Sequence, residues 1–307
     1  MAIIQDMTEL IGQTPLLKIT HMDVPDGVEL YAKLEMMNPG GSIKDRLGDM
    51  VIQEAIATGR LRAGGTLIEA TAGNTGIGLA LSARKYQLRT IFFVPEHFSQ
   101  EKQQLMKALG AEIVHTPRKE GMQGAIKRAL ELEASLDNAY CVLQFKNQVN
   151  PLTYYKTLAP ELWSELEGKI DIFVAGAGSG GTFQGCAAYL KEQNAALKTV
   201  IVEPEGSILN GGEPGPHKTE GIGLEFIPEY METELFDKIY TVSDDDAFRM
   251  VKKAAQKEGV LIGSSSGAAL FAALEEAKKA APGTVIVTIF PDSSERYLSK
   301  AIYEGGK

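Results

Sequence analysis

The sequence predicts an α/β protein built on mainly parallel sheets. Short β-branched runs alternate with longer helix-patterned stretches along the 307 residues. Several of the runs are nearly continuous in apolar residues, as strands covered on both faces are. Two glycine-rich blocks each follow such a run and open a helical stretch. In parallel sheets that is where ligands bind.

The expected strands are Glu29–Glu35, Thr66–Glu69, Arg89–Val94, Glu112–His115, Ile170–Ala175, Thr199–Pro204, Lys238–Val242 and Thr284–Phe290. The expected helices are Lys44–Thr58, Gly76–Tyr86, Ser99–Leu109, Met122–Ser135, Pro160–Leu166, Gly181–Gln193, Asp244–Glu258 and Ser266–Ala280. The two glycine-rich blocks, Glu69–Gly76 and Gly176–Thr182, fall behind different runs, so each is assigned its own sheet and the chain two facing lobes. Gly206–Thr219 is rich in Gly and Pro and reads as a surface loop or lid.

Composition narrows the class. The chain is 44% hydrophobic and 23% charged, which excludes disorder and collagen-like repeats. Lys and Arg total 31 against 40 Asp and Glu, a net charge of −9. That balance offers no global field for nucleic acid, so no nucleic-acid partner is expected. No apolar stretch approaches the ~20 residues that span a bilayer, and the N-terminus lacks a cationic leader. Cys141 and Cys186 make no disulfide framework, and a cytoplasmic protein is expected. His21, His97, His115 and His217 are isolated, without metal-ligand spacing, and no metal is expected. There is no G-x-S-x-G elbow, which disfavours a serine hydrolase.

The loop Gly176–Thr182 is the strongest local signal. Successive glycines let backbone N–H groups converge, and the following helix adds its positive end, together a phosphate cradle. The same loose G-x-G-x-x-G also suits a ligand-free turn or a dinucleotide-binding loop. No lysine follows it in Walker fashion. In Asn38–Arg46, Pro and Gly place a turn before a helix and Lys44 in its first turn. A lysine at a positive helix end has its amine pKa depressed and can form a Schiff base with an aldehyde. The alternative is an exposed lysine beside Asp45 and Arg46. Thr71–Gly76 offers hydroxyls, an amide and backbone donors that suit a carboxylate, or else a capped turn. Gly263–Gly267 is either a capped helix start or a set of hydroxyls aimed at a ring. A phosphate cradle together with an activated lysine fits pyridoxal phosphate, which carries both an aldehyde and a phosphate.

These blocks together resemble the cysteine synthase / cystathionine β-synthase family of pyridoxal-phosphate enzymes. The resemblance runs through Gly12-Gln13-Thr14-Pro15, Asn38–Arg46, Thr71–Gly76, Gln144-Phe145-Lys146-Asn147 with Asn150-Pro151, Gly178–Thr182, Gly221-Ile222-Gly223 and Gly263–Gly267. They occur in the family's order over nearly the whole chain. The resemblance implies a two-lobed tryptophan-synthase-β-like fold, fold type II, with the cofactor between the lobes. It implies a smaller lobe over 42–150 and a larger one from 1–41 and 151–307. It implies that Lys44 carries pyridoxal 5'-phosphate and is the catalytic residue. By the same match Asn74 contacts the ring hydroxyl, Gly178, Ser179, Gly180, Gly181 and Thr182 hold the phosphate, and Ser265 meets the pyridine nitrogen. Thr71, Ala72, Gly73, Thr75 and Gln144 surround the substrate carboxylate, with Gly221 also on the substrate side.

The implied reaction is β-replacement on O-acetylserine or serine. Homocysteine as thiol acceptor gives cystathionine; sulfide gives cysteine. Many relatives have serine where this chain has Ala72. Glu203–Leu209, Glu220–Gly223 and Phe226-Ile227-Pro228 resemble the cystathionine-forming branch, and Pro214–Lys218 the cysteine synthase loop. A homodimer is implied. The chain begins just before Gly12–Pro15 and ends soon after Arg296-Tyr297-Leu298, so the haem segment and regulatory module of animal relatives are expected to be absent.

Overall fold

A computed structural model describes residues 3–96 and 100–304. The strands are β1 (Leu16–Lys18), β2 (Glu29–Leu34), β3 (Thr66–Ala70), β4 (Arg89–Pro95), β5 (Glu112–Thr116), β6 (Ala139–Cys141), β7 (Ile172–Gly176), β8 (Lys198–Pro204), β9 (Lys238–Val242) and β10 (Val285–Phe290). The helices are α1 (Lys44–Ala57), α2 (Asn74–Ala83), α3 (Gln100–Ala108), α4 (Gly121–Ala134), α5 (Val149–Lys156), α6 (Leu158–Glu165), α7 (Gly181–Gln193), α8 (Asp244–Lys253) and α9 (Ser264–Ala277). Two expectations, His97 and the first residue of the third helix, Ser99, lie outside the described residues. Among the described residues no helix is long and apolar enough to cross a membrane.

The chain divides into two compact units, Met1–Ile11 with Asn38–Asn150 and Gly12–Met37 with Pro151–Lys307. The sequence predicts that residues 1–41 join the larger unit; the structure places Met1–Ile11 and Asn38–Gly41 in the smaller one. Local bonds account for this. The Asp45 carboxylate in α1 accepts the Gly40 N–H at 2.6 Å. The turn Met7–Leu10, closed by a capping box between Asp6 and Glu9, packs on α2.

The smaller unit holds a four-stranded parallel sheet in the order β5-β4-β3-β6. Its β3 is buried at all five positions. Ile68, Ala70, Ile91, Phe93 and Cys141 from the sheet close over Ala125 and Ala129 of α4. The helices α1 and α2 meet backbone to backbone. A Cβ on Gly78 would collide with the carbonyl of Lys44, and one on Gly48 with the carbonyl of Gly78. The pair of glycines therefore sets how closely the two helix starts lie.

The larger unit holds a six-stranded sheet in the order β1-β2-β10-β7-β8-β9. Every pairing in it is parallel except that of β1 with β2. The helices α8 and α9 supply Ala247, Val251, Ala268 and Leu270 to a core with Val174, Val200 and Ile286. Glu276 of α9 ties the helix to the strands through Lys198, Lys238 and the Tyr240 hydroxyl, with Lys238 at 2.7 Å. Burial works against the charge, but these three hydrogen bonds hold the Glu276 carboxyl at about 2.

Three elements were not expected. The strands β1 and β6 have three residues each, too short to show a period. Helix α5 begins with Val149 and carries Pro151 in its first turn, where proline is tolerated; in the sequence the same proline reads as a break. Helix α9 starts at Ser264 rather than Ser266, which moves Ser265 into its first turn.

Candidate active site

In the smaller unit, the segment Asn38–Arg46 folds as a tight turn into α1. Gly41 N donates to the Asn38 carbonyl at 2.8 Å, and Lys44 N donates to Ser42 Oγ at 3.2 Å. Lys44 is the first residue of α1 and half-buried, while Asp45 and Arg46 are buried. A solvated charge run is not what is found. Asp45 spends its carboxylate on the turn at Gly40, which fixes the residue beside it.

Thr71–Gly76 leaves the end of β3 and starts α2. Thr71 N donates to the Phe93 carbonyl at 3.2 Å and Gly73 N to Thr71 Oγ1 at 3.3 Å. Gly73 caps α2 with no side-chain hydrogen bond, and a Cβ on it would meet nothing within 4 Å. The positive end of the helix is thus left open rather than capped by its own sequence. Thr75 Oγ1 donates to Gln144 Oε1 at 2.8 Å. Asn150 Nδ2 in turn donates to the Gln144 carbonyl at 2.9 Å. So Thr71, Ala72, Gly73, Asn74, Thr75 and Gln144, which span more than seventy positions of sequence, are gathered at one end of β3 and β6.

In the larger unit, Gly176–Thr182 joins β7 to α7. Gly180 has φ of +80°, the left-handed region, and a Cβ there would strike Met231 Sδ. A Cβ on Gly178 would strike the Gly221 carbonyl. The loop's carbonyls are taken by protein donors: Gly223 N donates to Ala177 O at 2.8 Å, and the Tyr230 hydroxyl to Ser179 O at 2.7 Å. That directs carbonyl oxygens into the protein and leaves the start of the 13-residue helix α7 without a side-chain cap. This arrangement fits a phosphate. Ser265 lies in the first turn of α9, buried, and a Cβ on Gly221 would stand 3.6 Å from its Oγ. Ser264 Oγ accepts Glu220 N at 3.0 Å. The α9 start has no side-chain cap, so the serines of Gly263–Gly267 are not used as one. The larger unit thus brings Gly178–Thr182, Gly221 and Ser265 together.

Gly206–Thr219 is exposed from residue 210 to residue 218 and pinned at both ends. Glu203 accepts Leu209 N at 2.8 Å and Asn210 N at 3.0 Å. Asp244 accepts Lys218 N at 2.7 Å and Thr219 N at 2.8 Å. Burial opposes the Asp244 charge, but the Thr219 hydroxyl and these two amides hold its carboxyl below the usual range.

Among the described residues no group of His, Cys, Asp and Glu is placed to hold a metal ion. His217 Nδ1 lies 2.7 Å from the Thr219 carbonyl, a structural contact in that loop. Cys141 and Cys186 are free and buried.

The family described as pyridoxal-phosphate dependent enzymes matches residues 7–292. The chain belongs to this family. It is 72% identical over 306 residues to the O-acetylserine dependent cystathionine beta-synthase of Bacillus subtilis, covering 100% of each chain. It is 55% identical over 305 residues to a cysteine synthase of Helicobacter pylori, covering 99% of this chain and 100% of that one. A crystal structure titled O-acetylserine dependent cystathionine beta-synthase from Helicobacter pylori superposes with a TM-score of 0.95 at 55% identity, over 99% of this chain and 100% of that one. The pyridoxal-phosphate enzyme is therefore of fold type II, and pyridoxal phosphate is its cofactor.

Two contributors to the site went unread in the sequence. Tyr230 supports the loop at Ser179 from fifty positions away, with no local signal. Glu69 stands fully buried in β3, one residue before Ala70 and the Thr71 loop. A carboxylate inside the apolar run Leu67-Ile68-Glu69-Ala70 was the signal that marked it.

Proposed function

We propose that this enzyme replaces the acetoxy group of O-acetylserine with the thiol sulfur of homocysteine, giving cystathionine and acetate. Identity of 72% along the whole chain to the O-acetylserine dependent cystathionine beta-synthase of Bacillus subtilis carries the reading. The cysteine synthase relative at 55% supports sulfide as a second acceptor on the same residues. A dinucleotide-binding role for the Gly176 loop is displaced by the family match.

When bound, pyridoxal phosphate supplies an aldehyde for the substrate amine and a ring that draws electron density from the α-carbon. Lys44 is proposed to hold the cofactor, and its Nζ to take the α-proton and later return it as general base and acid. The amides of Gly178–Thr182 hold the phosphate, and Asn74 and Ser265 orient the ring. Ser265 is neutral, and it does not fix a proton on the ring nitrogen as a carboxylate would. A hydroxyl at that position would suit loss of the β-substituent. Thr71, Ala72, Gly73, Thr75 and Gln144 receive the substrate carboxylate at the open start of α2, with Gly221 on the substrate side. At the β-carbon the C–O bond to acetate breaks and a C–S bond to the thiol forms. The tethered loop Gly206–Thr219 serves as a cover for the larger acceptor.

Homocysteine brings its own amine and carboxylate and needs more room than sulfide. Ala72, buried in the loop, leaves the space that serine fills in many relatives. The paired enzyme is inferred to be a homodimer working in the cytoplasm, on small amino acids and a thiol, without nucleic acid or membrane.

Four outcomes are expected. Lys44→Ala lowers turnover by a factor of at least roughly 100 to 10,000, the usual worth of a positioned base; near-normal turnover of the purified variant without added amines would refute the assignment. Gly180→Leu weakens cofactor retention about tenfold or more, because its side chain blocks close backbone approach; dialysis that strips variant and wild type equally would count against the loop. With O-acetylserine, the wild type makes cystathionine from homocysteine, and Ala72→Ser shifts the homocysteine-to-sulfide ratio toward sulfide by about tenfold. Ready cysteine formation with no cystathionine, and a ratio unmoved in the variant, would reverse both the preference and its cause. Light scattering at micromolar concentration gives twice the mass of one chain; a single-chain mass excludes the dimer.

A further inference from the structure

Glu69 is a carboxylate at a position of β3 that the fold buries like its apolar neighbours. It is 2% exposed, in a strand whose other residues pack as core. Its Oε1 accepts the N–H of the adjacent Ala70 at 3.0 Å, and its Oε2 is buried with no partner among the described residues. A carboxyl left so incompletely satisfied costs stability, which a purely structural position would not retain. The backbone N–H groups of Ala70, Gln144 and Leu143 favour its charged form, against the burial. Gln144 is the residue whose side chain receives Thr75 Oγ1 at 2.8 Å. Leu143 is strained at φ of +51° and is itself the hinge of the next turn, accepting Lys146 N at 2.8 Å and Asn147 N at 3.0 Å.

We infer that Glu69 tunes the Thr71–Gly76 loop: a buried, incompletely paired carboxyl near the end of β3 that, on losing its proton, weakens the hold of that loop on a carboxylate. The inference rests on the proposed reading of Thr71–Gly76 with Gln144 as the substrate-carboxylate site. It adds the group that makes this site sensitive to pH.

The surroundings set the direction. Burial pushes the Glu69 carboxyl up to about 8, against the pull of the Ala70, Gln144 and Leu143 amides. The groups that face it give it no counter-charge. From β6 come Cys141 and Tyr140, both of which its charge would push up, and Arg60 lies over the ring of Tyr140 rather than on Glu69. From α4 comes Glu133, whose carboxylate accepts Cys141 N at 2.8 Å and carries the same sign. β4 faces β3 with Phe92 at the Glu69 register, and α2 carries no charged residue. Below its pKa Glu69 is neutral and the loop receives an anion at a helix start. Above it, a negative charge sits in the strand two residues before that loop and repels the anion. Carboxylate affinity therefore falls as pH rises. By reciprocity, binding a carboxylate makes Glu69 take up a proton.

The test uses the holoenzyme and propionate, a carboxylate with no amine of its own and fully ionised throughout the range. Its inhibition of O-acetylserine turnover is measured from pH 6.5 to pH 9 in wild type and in Glu69→Gln. Wild type should lose propionate affinity by about tenfold across that range, the size of a screened charge pair at the protein's effective dielectric. Glu69→Gln should lose this slope. If propionate competes in both with the same slope, the carboxylate loop stands and the role of Glu69 falls. If propionate competes in neither at any pH, the loop reading itself falls and the inference with it. Should Glu69→Gln fail to fold, infrared titration of the wild type decides. A protonated buried carboxyl band that fades between pH 7 and pH 9, and persists to higher pH with propionate bound, supports the inference. Absence of that band at pH 6.5, or its indifference to propionate, overturns it.

Discussion

The contact on which the smaller unit depends is the crossing of α1 and α2 at their glycines. Lys44 opens α1, and its carbonyl lies where a side chain on Gly78 would have to go. Gly48 meets the carbonyl of Gly78 one turn further along. Two helix starts, one bearing Lys44 and one following the Thr71–Gly76 loop, are locked at the distance of bare backbones. The Asp45 carboxylate, turned back onto Gly40, holds the approach to α1 from the other side. Neither the lysine nor the loop has freedom to drift without breaking a close-packed contact, and such preorganisation is what positioned chemistry requires.

The larger unit solves a related problem with different means. Its Gly176–Thr182 loop is shaped by donors that occupy the carbonyls, Gly223 N and the Tyr230 hydroxyl, and by Met231 packed under Gly180. Once the carbonyls are turned inward, the amides at the start of α7 are what remains to meet an anion. Glu276 holds α9 to β8 and β9 through two lysines and a tyrosine, so the Ser264–Gly267 start is carried on a helix that is itself anchored. Both units thus present uncapped helix starts, and in both the stiffness comes from elements packed behind the loop.

Much of this was legible in the sequence because it is written in local chemistry. Lys238–Val242 and Gly181–Gln193 have the bounds that their patterns predict, and the other expected strands and the helices within the described residues differ only at their ends. The glycine-rich blocks and the Asn38–Arg46 turn were visible because a helix start after a strand needs those residue types. What escaped depends on distant parts of the chain. The three-residue strands β1 and β6 exist only because a neighbour pairs with them. The division of the chain near residue 41 turns on one carboxylate bond from Asp45, and the start of α5 on a proline that a first turn accepts. Tyr230 acts through a backbone group, Ser179 O, that carries no residue-type signature.

The loop from Gly206 to Thr219 is fastened by carboxylates that lie outside its exposed stretch, Glu203 before it and Asp244 in α8. Its exposed residues, 210 to 218, make no contribution to those fastenings beyond Asn210 and Lys218 backbone amides. The segment can therefore change in length and side chains over evolutionary time while Gly221 and the Gly176–Thr182 loop packed against it keep their places. A catalytic framework that must not move and a surface that is at liberty to vary are separated by two acidic residues. Descendants of one ancestral fold are free to differ along this stretch without any substitution in Gly176–Thr182 or at Gly221.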